Sequence, residues 1–133
     1  MKLVIDTNRI IAALLKNSSC RLIIMNPEFE FISPDYTLTE IDKYKEMILE
    51  KSKLSKDKLN VVMSIIFEKI EIIPENYYAK YLVKASKLIS DKKDVAFLAL
   101  AMAKNTQGIW TEDKAFKEQQ IVKIYSTSDL MRL

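Results

Sequence analysis

The chain has 133 residues, of which 49% are hydrophobic and 29% are charged, a balance typical of a folded globular protein rather than a disordered one. It contains no histidine, one cysteine and one glycine, so imidazole catalysis, histidine-ligated zinc, an internal disulfide and glycine-rich phosphate loops are all excluded. The formal net charge of +3 permits a nucleic-acid partner without requiring one.

Five short apolar or aromatic runs predict β-strands, and the segments between them have the periodicity of helices. In chain order, the predicted strands are Leu3–Ile5, Phe29–Ile32, Ile70–Ile73, Ile109–Trp110 and Ile121–Tyr125. The helical rhythm is clearest at Leu59, Val62, Met63, Ile66, Phe67 and Ile70, and again at Val95, Leu98, Ala99 and Met102. Strands separated by helices need crossover connections. The sequence therefore predicts one α/β domain over residues 1–133, a three-layer α/β/α arrangement with a central, mostly parallel sheet.

The sequence also predicts the cellular location of the protein. No apolar run approaches the roughly 18 residues needed to cross a bilayer. The residues before Asp6 are too few and too polar for a signal peptide. We therefore expect a cytoplasmic protein with no membrane partner, and we expect Cys20 to be a small buried hydrophobe.

Four acidic residues fall where predicted strands end and predicted helices begin. Asp6 directly follows the first strand, and Asp113 follows Ile109–Trp110 after two further residues. Asp94 lies in the first turn of the alanine-rich helix, and Glu40 lies in the first turn or two of a helix that runs towards Glu50. In an open parallel sheet these positions share the edge formed by the carboxyl ends of the strands. The four side chains are therefore expected to converge there.

Each acid also has a purely structural interpretation, because Asp and Glu are common at helix starts. The candidate caps and capping pairs are Asp6, Thr37 with Glu40, Asp91 with Asp94, and Thr111 with Asp113. In the second of these, Glu40 would bond back to the amide of Thr37 in a capping box. Composition and periodicity leave the structural and the functional interpretations open.

Four segments together resemble the PIN-domain nucleases, and the resemblance runs from Leu3 to about Leu130. The segments are VIDTN at Val4–Asn8, LTEI at Leu38–Ile41, DKKDVAFLALA at Asp91–Ala101 and IWTEDK at Ile109–Lys114. The first, third and fourth are specific in combination, whereas the Glu40 segment is placed mainly by its position between the others.

The resemblance implies a metal-dependent endoribonuclease that hydrolyses phosphodiester bonds of mostly single-stranded RNA. The implied catalytic and metal-binding residues are Asp6, Glu40, Asp94 and Asp113, with Mg²⁺ or Mn²⁺ as the cofactor. Such hard cations prefer oxygen ligands, so no histidine is needed.

Three more residues are given supporting roles by the same resemblance. Thr111 matches a position that often supports the site by hydrogen bonding. Asn8 either orients Asp6 or contacts a phosphate, and it fits a helix start equally well. Asp91 is favoured as a helix cap over a place in the site.

The implied partners are RNA, a cognate antitoxin if the chain is the toxin of a toxin–antitoxin pair, and a second copy in a homodimer. Many PIN-domain toxins carry a DAxIAA-like segment where this chain has DVAFLALA. A role in RNA processing or decay therefore stays open beside the toxin role.

Lysines and tyrosines are the candidates for RNA contacts outside the acidic site. The lysines are Lys43, Lys45, Lys51, Lys53, Lys56, Lys58, Lys84, Lys87, Lys92 and Lys93. Because acids are interspersed among them, a solvated face is an equally good interpretation. The tyrosines Tyr44, Tyr77, Tyr78 and Tyr81 are suited to stacking on bases, but at this spacing they are more often packing residues. Trp110 is expected in the core.

Two rival functions come from other classes of protein. A PIN-like domain can act as an RNA-binding or protein-interaction module without cleavage, although the presence of all four acids favours the enzyme. A phosphatase with Asp6 as nucleophile would resemble the haloacid dehalogenase-like enzymes. Those carry DxDx[TV], and Asn8 stands here where their second aspartate should be.

Overall fold

Five strands form one sheet in the computed structural model, which describes every residue from Met1 to Leu133. They are β1 (Lys2–Ile5), β2 (Glu30–Pro34), β3 (Ile70–Ile73), β4 (Gly108–Trp110) and β5 (Ile124–Tyr125). Their order across the sheet is β3-β2-β1-β4-β5, and every neighbouring pair is parallel. The predicted α/β fold with a parallel central sheet is confirmed.

Eight α-helices and three short 3₁₀ helices connect the strands. The α-helices are α1 (Thr7–Leu15), α2 (Ser19–Met25), α3 (Tyr36–Lys43), α4 (Lys45–Ser52), α5 (Lys56–Glu68), α6 (Leu82–Leu88), α7 (Lys92–Lys104) and α8 (Thr127–Met131). The 3₁₀ helices are Glu75–Tyr77, Ala79–Tyr81 and Lys114–Glu118. No helix has the length and apolar character that a membrane span requires.

Two local predictions needed correction. The helix expected to run from Glu40 towards Glu50 is interrupted at Tyr44, whose ψ of 10° separates α3 from α4. The last strand is shorter than expected because the Gln119 side chain takes both backbone groups of Val122. It donates to the Val122 carbonyl and accepts from the Val122 amide, so this residue is not free to join the sheet.

Alternate residues of the central strand face opposite helical layers, as the twofold period of a strand requires. Leu3 and Ile5 pack into a core with α1, α2, α5 and α8, whereas Val4 packs into a second core dominated by α7. Trp110 and Cys20 lie in the first core, as expected. The helices therefore cover both faces of the sheet.

The strand order places a crevice between the carboxyl ends of β1 and β4. The connection that leaves β1 passes through α1 and α2 to β2, whereas the connection that leaves β4 passes through the 3₁₀ helix Lys114–Glu118, on the opposite face, to β5. The two connections diverge from neighbouring strands, which is where parallel α/β sheets form their binding sites. Asp6 and Asp113 follow these two strands.

The only glycine in the chain holds β4 against β5. At Gly108 φ is +159°, and a Cβ would lie 2.5 Å from the Lys123 carbonyl oxygen and 2.7 Å from a ring carbon of Tyr125. That carbonyl accepts the hydrogen bond of the Ile109 amide, so it cannot move away without weakening the β4–β5 pairing.

We therefore expect Gly108→Ala to lower the free energy of unfolding by about 2–3 kcal/mol, because overpacking here meets backbone. Urea denaturation measures the change. Ile121→Ala, at a position 57% exposed, serves as the control and is expected to change stability by less than about 0.5 kcal/mol. A Gly108→Ala midpoint equal to that of the wild type would contradict the close approach.

Candidate active site

A cavity of about 210 Å³ lies at the carboxyl edge of the sheet, and acidic side chains dominate its lining. Its lining residues are Asp6, Thr7, Asn8, Glu40, Asp91, Lys93, Asp94, Phe97 and Asp113. All four predicted acids therefore line one cavity, together with two of the three residues expected to support them. The third, Thr111, is buried and bonds to Asp6.

Asp6 occupies the cap position of α1, but its side chain does not cap the helix. Its Oδ2 instead accepts a hydrogen bond from the Thr111 hydroxyl at 2.7 Å. Burial raises the pKa of Asp6, and the charge of Asp113 raises it further, while the Thr111 bond and the Asn8 backbone amide oppose the shift. The interpretation of Asp6 as a simple cap is wrong, and its carboxylate is left to the cavity.

Thr111 joins the ends of β1 and β4. Besides donating to Asp6, its hydroxyl accepts from the Asp113 amide at 2.9 Å. Asp113 in turn caps the 3₁₀ helix that follows, since its Oδ1 accepts from the Ala115 amide at 2.9 Å. The expectation of Thr111 as the cap with Asp113 inside the helix was wrong, because Asp113 itself takes the cap position, and it also lines the cavity.

Glu40 is held by a hydroxyl from another element rather than by its own helix. The predicted capping box is absent, because Asp35 occupies the cap position of α3 and Thr37 lies inside the helix. Glu40 Oε1 accepts a hydrogen bond of 2.6 Å from the hydroxyl of Thr7, the first residue of α1. Burial raises the pKa of Glu40, and the Thr7 bond and Lys93 oppose the shift.

Behind Thr7 runs a chain of buried hydroxyls that sequence reasoning missed. Thr7 contacts Thr37 at 3.2 Å, Thr37 contacts Ser33 at 2.5 Å, and Ser33 donates to the Ile5 carbonyl at 3.1 Å. With the bond to Glu40, four contacts share three hydroxyl protons, so one contact lacks a proton whenever Glu40 is ionised. The only signal in the sequence was the presence of hydroxyl residues at positions that become buried, where each needs a partner.

Asp94 is the least satisfied acid of the cavity. It is the third residue of α7 and is buried, and its Oδ2 has no hydrogen-bond partner. Burial, followed by the charges of Asp113, Asp91 and Asp6, raises the pKa of Asp94 from 3.8 to about 7. Asp91 caps α7 by accepting from the Lys93 amide at 2.9 Å, as favoured from the sequence, and it also lines the cavity.

The expected RNA-contact residues fall in several different environments. Lys93 lines the acidic cavity, whereas Lys45 and Lys56 line a separate cavity between α4 and α5. Tyr78 is fully buried and is therefore a packing residue, while Tyr77 is exposed.

The donor set of the cavity fits a hard divalent cation, because all four acids offer oxygen ligands only. No group of three or more acidic or cysteine side chains is already arranged to hold an ion. Asp6, Glu40 and Asp113 each accept a hydrogen bond, from Thr111, Thr7 and the Ala115 amide respectively. The buried Oδ2 of Asp94 has no hydrogen-bond partner, and a cation held by the acids would satisfy it.

The sequence matches the model of the PIN domain family over residues 4–128. The chain belongs to the PIN domain family. Its fold is similar to that of a solved chain described as VapBC2 from Rickettsia felis bound to a DNA fragment from their promoter. The two share 20% sequence identity with a TM-score of 0.66, over 95% of this chain and 98% of that chain. No curated protein matches the sequence.

In this PIN domain the raised pKa of Asp94 links stability to pH. The native state holds the Asp94 proton more tightly than the unfolded chain does. The stability that this proton gives is therefore fully present below pH 3.8 and is lost as the pH rises through about 7.

Without divalent metal, we expect Asp94→Asn to be more stable than the wild type at pH 8 by about 1–2 kcal/mol, because the variant buries no charge. The difference should shrink as the pH falls towards 4. Urea denaturation in EDTA at several pH values measures it, with the exposed Asp42→Asn as the matched control. A difference that does not vary with pH would show that Asp94 titrates as an ordinary carboxyl.

Proposed function

We propose that this PIN domain is a divalent-metal-dependent endoribonuclease that hydrolyses phosphodiester bonds of single-stranded RNA. In this proposal Asp6, Glu40, Asp94 and Asp113 hold Mg²⁺ or Mn²⁺, and residues 1–133 act as one domain. The observation that carries the proposal is the buried, unpartnered Oδ2 of Asp94 in a cavity lined by the other three acids.

Electrostatics favours a cation in this cavity over a purely structural role for the acids. Burial, and then the charges of Asp113, Asp91 and Asp6, raise the pKa of Asp94 to about 7, so a cation in the cavity would offset a negative charge that this environment disfavours. Structural caps would not need to share one cavity, and neither Asp6 nor Asp94 caps its helix. Acids that are costly to ionise together are typical of functional sites.

A divalent cation, when bound, lowers the pKa of bound water and neutralises charge that builds up on a phosphodiester. The chain's own residues position the acids for this. Thr111 fixes the carboxylate of Asp6 from β4, and Thr7 fixes that of Glu40 from α1. Lys93 lines the same cavity and is placed to contact a substrate phosphate.

The choice of RNA as substrate follows from the family resemblance, and the composition of the chain agrees with a metal route. Ribonuclease mechanisms that use histidine as acid and base are unavailable, because the chain has no histidine. A single-stranded substrate suits a cavity of this size, since an unpaired strand can bring one phosphate to the acids without a duplex to accommodate.

The proposal extends to a protein partner. The chain shares its fold, over nearly its whole length, with a VapBC2 chain, and the resemblance implies an antitoxin that covers the acidic cavity. We therefore propose a toxin–antitoxin setting, with a homodimer as the self-association expected for such proteins. A nuclease of RNA processing would cleave RNA with the same acids, whereas a non-catalytic RNA-binding module would bind RNA without cleaving it.

A cleavage assay on labelled single-stranded RNA tests the enzyme directly. The wild type is expected to cleave the RNA with Mn²⁺ or Mg²⁺, and EDTA is expected to abolish the cleavage. Asp6→Asn and Asp94→Asn should each lose activity by more than about 100-fold, the upper end of what removing a supporting residue costs at a metal site. The control Asp42→Asn should stay within about twofold of the wild type.

Two results would count against the assignment. Cleavage that persists in both Asp6→Asn and Asp94→Asn would locate the activity elsewhere or in a contaminant. Metal-independent RNA binding without any cleavage would favour the non-catalytic module.

A further inference from the structure

A second, larger cavity of about 600 Å³ is lined by residues of α3 and α7. We call it the α3–α7 groove, and its apolar wall is formed by Tyr36, Leu38, Leu82, Val95 and Ala96. Its volume is within the range of roughly 300–1,000 Å³ that small-molecule sites occupy. Leu38 is 48% exposed at this groove, so part of the wall faces solvent.

The groove and the acidic cavity adjoin, because the same two helices line both. On α3, Thr39 lines the groove and the next residue, Glu40, lines the acidic cavity. On α7, one stripe of residues (Lys92, Val95 and Ala96) lines the groove, and the neighbouring stripe (Lys93, Asp94 and Phe97) lines the acidic cavity. Positions three or four apart share a helix face, so these are adjoining faces of one helix.

The carboxylates of Asp35 and Glu75 lie at the groove and offer hydrogen-bond acceptors, and two hydrogen bonds fix the position of Asp35. Asp35 Oδ1 accepts from the Tyr78 hydroxyl at 2.6 Å, and its Oδ2 accepts from the Glu75 amide at 3.2 Å. Each oxygen keeps a second acceptor position free. The Glu75 side chain lines the groove and is exposed. A ligand that pairs with these carboxylates while it lies on the apolar wall needs apolar faces and a hydrogen-donating edge.

An unpaired nucleobase has that combination, because its faces stack on apolar side chains and its edge carries donors. Guanine fits best among the four bases. Its N1–H and its amino group are adjacent donors that one carboxylate accepts together, whereas uracil offers a single N–H between two carbonyl oxygens.

Two consecutive lysines give the matching positive charge. Lys92 lines the groove and Lys93 lines the acidic cavity, so the pair is placed to contact successive phosphates of one strand. A base in the groove would then belong to the nucleotide beside the phosphate at the acids.

We propose that the α3–α7 groove binds the base of the nucleotide next to the cleaved bond and accepts guanine in preference to uracil. This inference rests on the proposed ribonuclease function. It adds the base specificity of that site and the residues that set it, chiefly Glu75 and Asp35.

Fluorescence anisotropy with labelled RNA hexamers at fixed salt tests the groove without cleavage, in the Asp94→Asn protein with Mg²⁺. An all-uracil hexamer is compared with one that carries a single internal guanine. We expect the guanine hexamer to bind about tenfold more tightly, the size of one good carboxylate–base pair.

Two variants of the groove test this preference. Glu75→Gln should reduce the preference to about twofold, and Ala96→Leu, which fills the groove, should weaken binding of the guanine hexamer about tenfold. The exposed Glu71→Gln is the matched control and should keep the wild-type preference.

The outcomes separate this inference from the proposed function. If the wild type cleaves RNA with metal but the Asp94→Asn protein binds both hexamers equally, the groove assignment fails and the ribonuclease stands. The assignment also fails if Glu75→Gln and Ala96→Leu leave both affinities unchanged. If Ala96→Leu loses a protein partner and keeps its RNA affinity, the groove belongs to that partner. If the protein neither binds nor cleaves any RNA, both the groove assignment and the proposed ribonuclease function are overturned.

Discussion

Repulsion between carboxylates buried around one cavity is the constraint to which the rest of the site responds. The carboxylates of Asp6 and Asp94 are almost fully buried, and Asp113 lies close enough for its charge to raise the pKa of both. A folded chain keeps such an arrangement only if the surrounding structure holds the acids in place and something offsets their charge. The fold supplies the first condition, and a bound cation is proposed to supply the second.

Hydroxyl groups from neighbouring elements hold the acidic side chains in place. Thr111 on the segment after β4 bonds to Asp6 after β1, so the two central strands are tied at their carboxyl ends. Thr7 does the same for Glu40 and is itself backed by Thr37 and Ser33. Asp94 has no such donor for its Oδ2, and burial, followed by the charges of Asp113, Asp91 and Asp6, raises its pKa to about 7. Burial of Asp94 therefore lowers stability at a residue that is proposed to hold the metal, a common trade between stability and function.

Much of this arrangement could be predicted from the sequence, because strand ends and helix starts are local signals. The positions of Asp6 and Asp113 after apolar runs indicated the shared edge, and Asp94 lies in the first turn of α7 as expected. The prediction of a capping box between Thr37 and Glu40 was wrong, because a local sequence pattern does not reveal which distant residue competes for the Glu40 carboxylate. Thr7 is 33 residues from Glu40 in sequence and yet supplies its hydrogen bond.

Other features depended on contacts that no short window of sequence contains. The hydroxyl chain crosses from β2 to α3 and α1, and the α3–α7 groove forms only when helices far apart in sequence meet. The shortened β5 depends on where the Gln119 side chain folds back. In each case the residues were visible in the sequence, but their partners were set by the packing of the whole domain.

Calorimetric titration of the purified protein with Mn²⁺ tests the central claim most directly. At pH 6 to 7 the wild type should show saturable binding with proton release, visible as heats that differ between buffers, because Asp94 must ionise to accept the ion. Asp94→Asn should bind at least about tenfold more weakly and release fewer protons, since it lacks this ligand and its proton. Saturable binding of equal strength and equal proton release in both proteins would contradict the account, and so would the absence of any binding to the wild type at millimolar Mn²⁺.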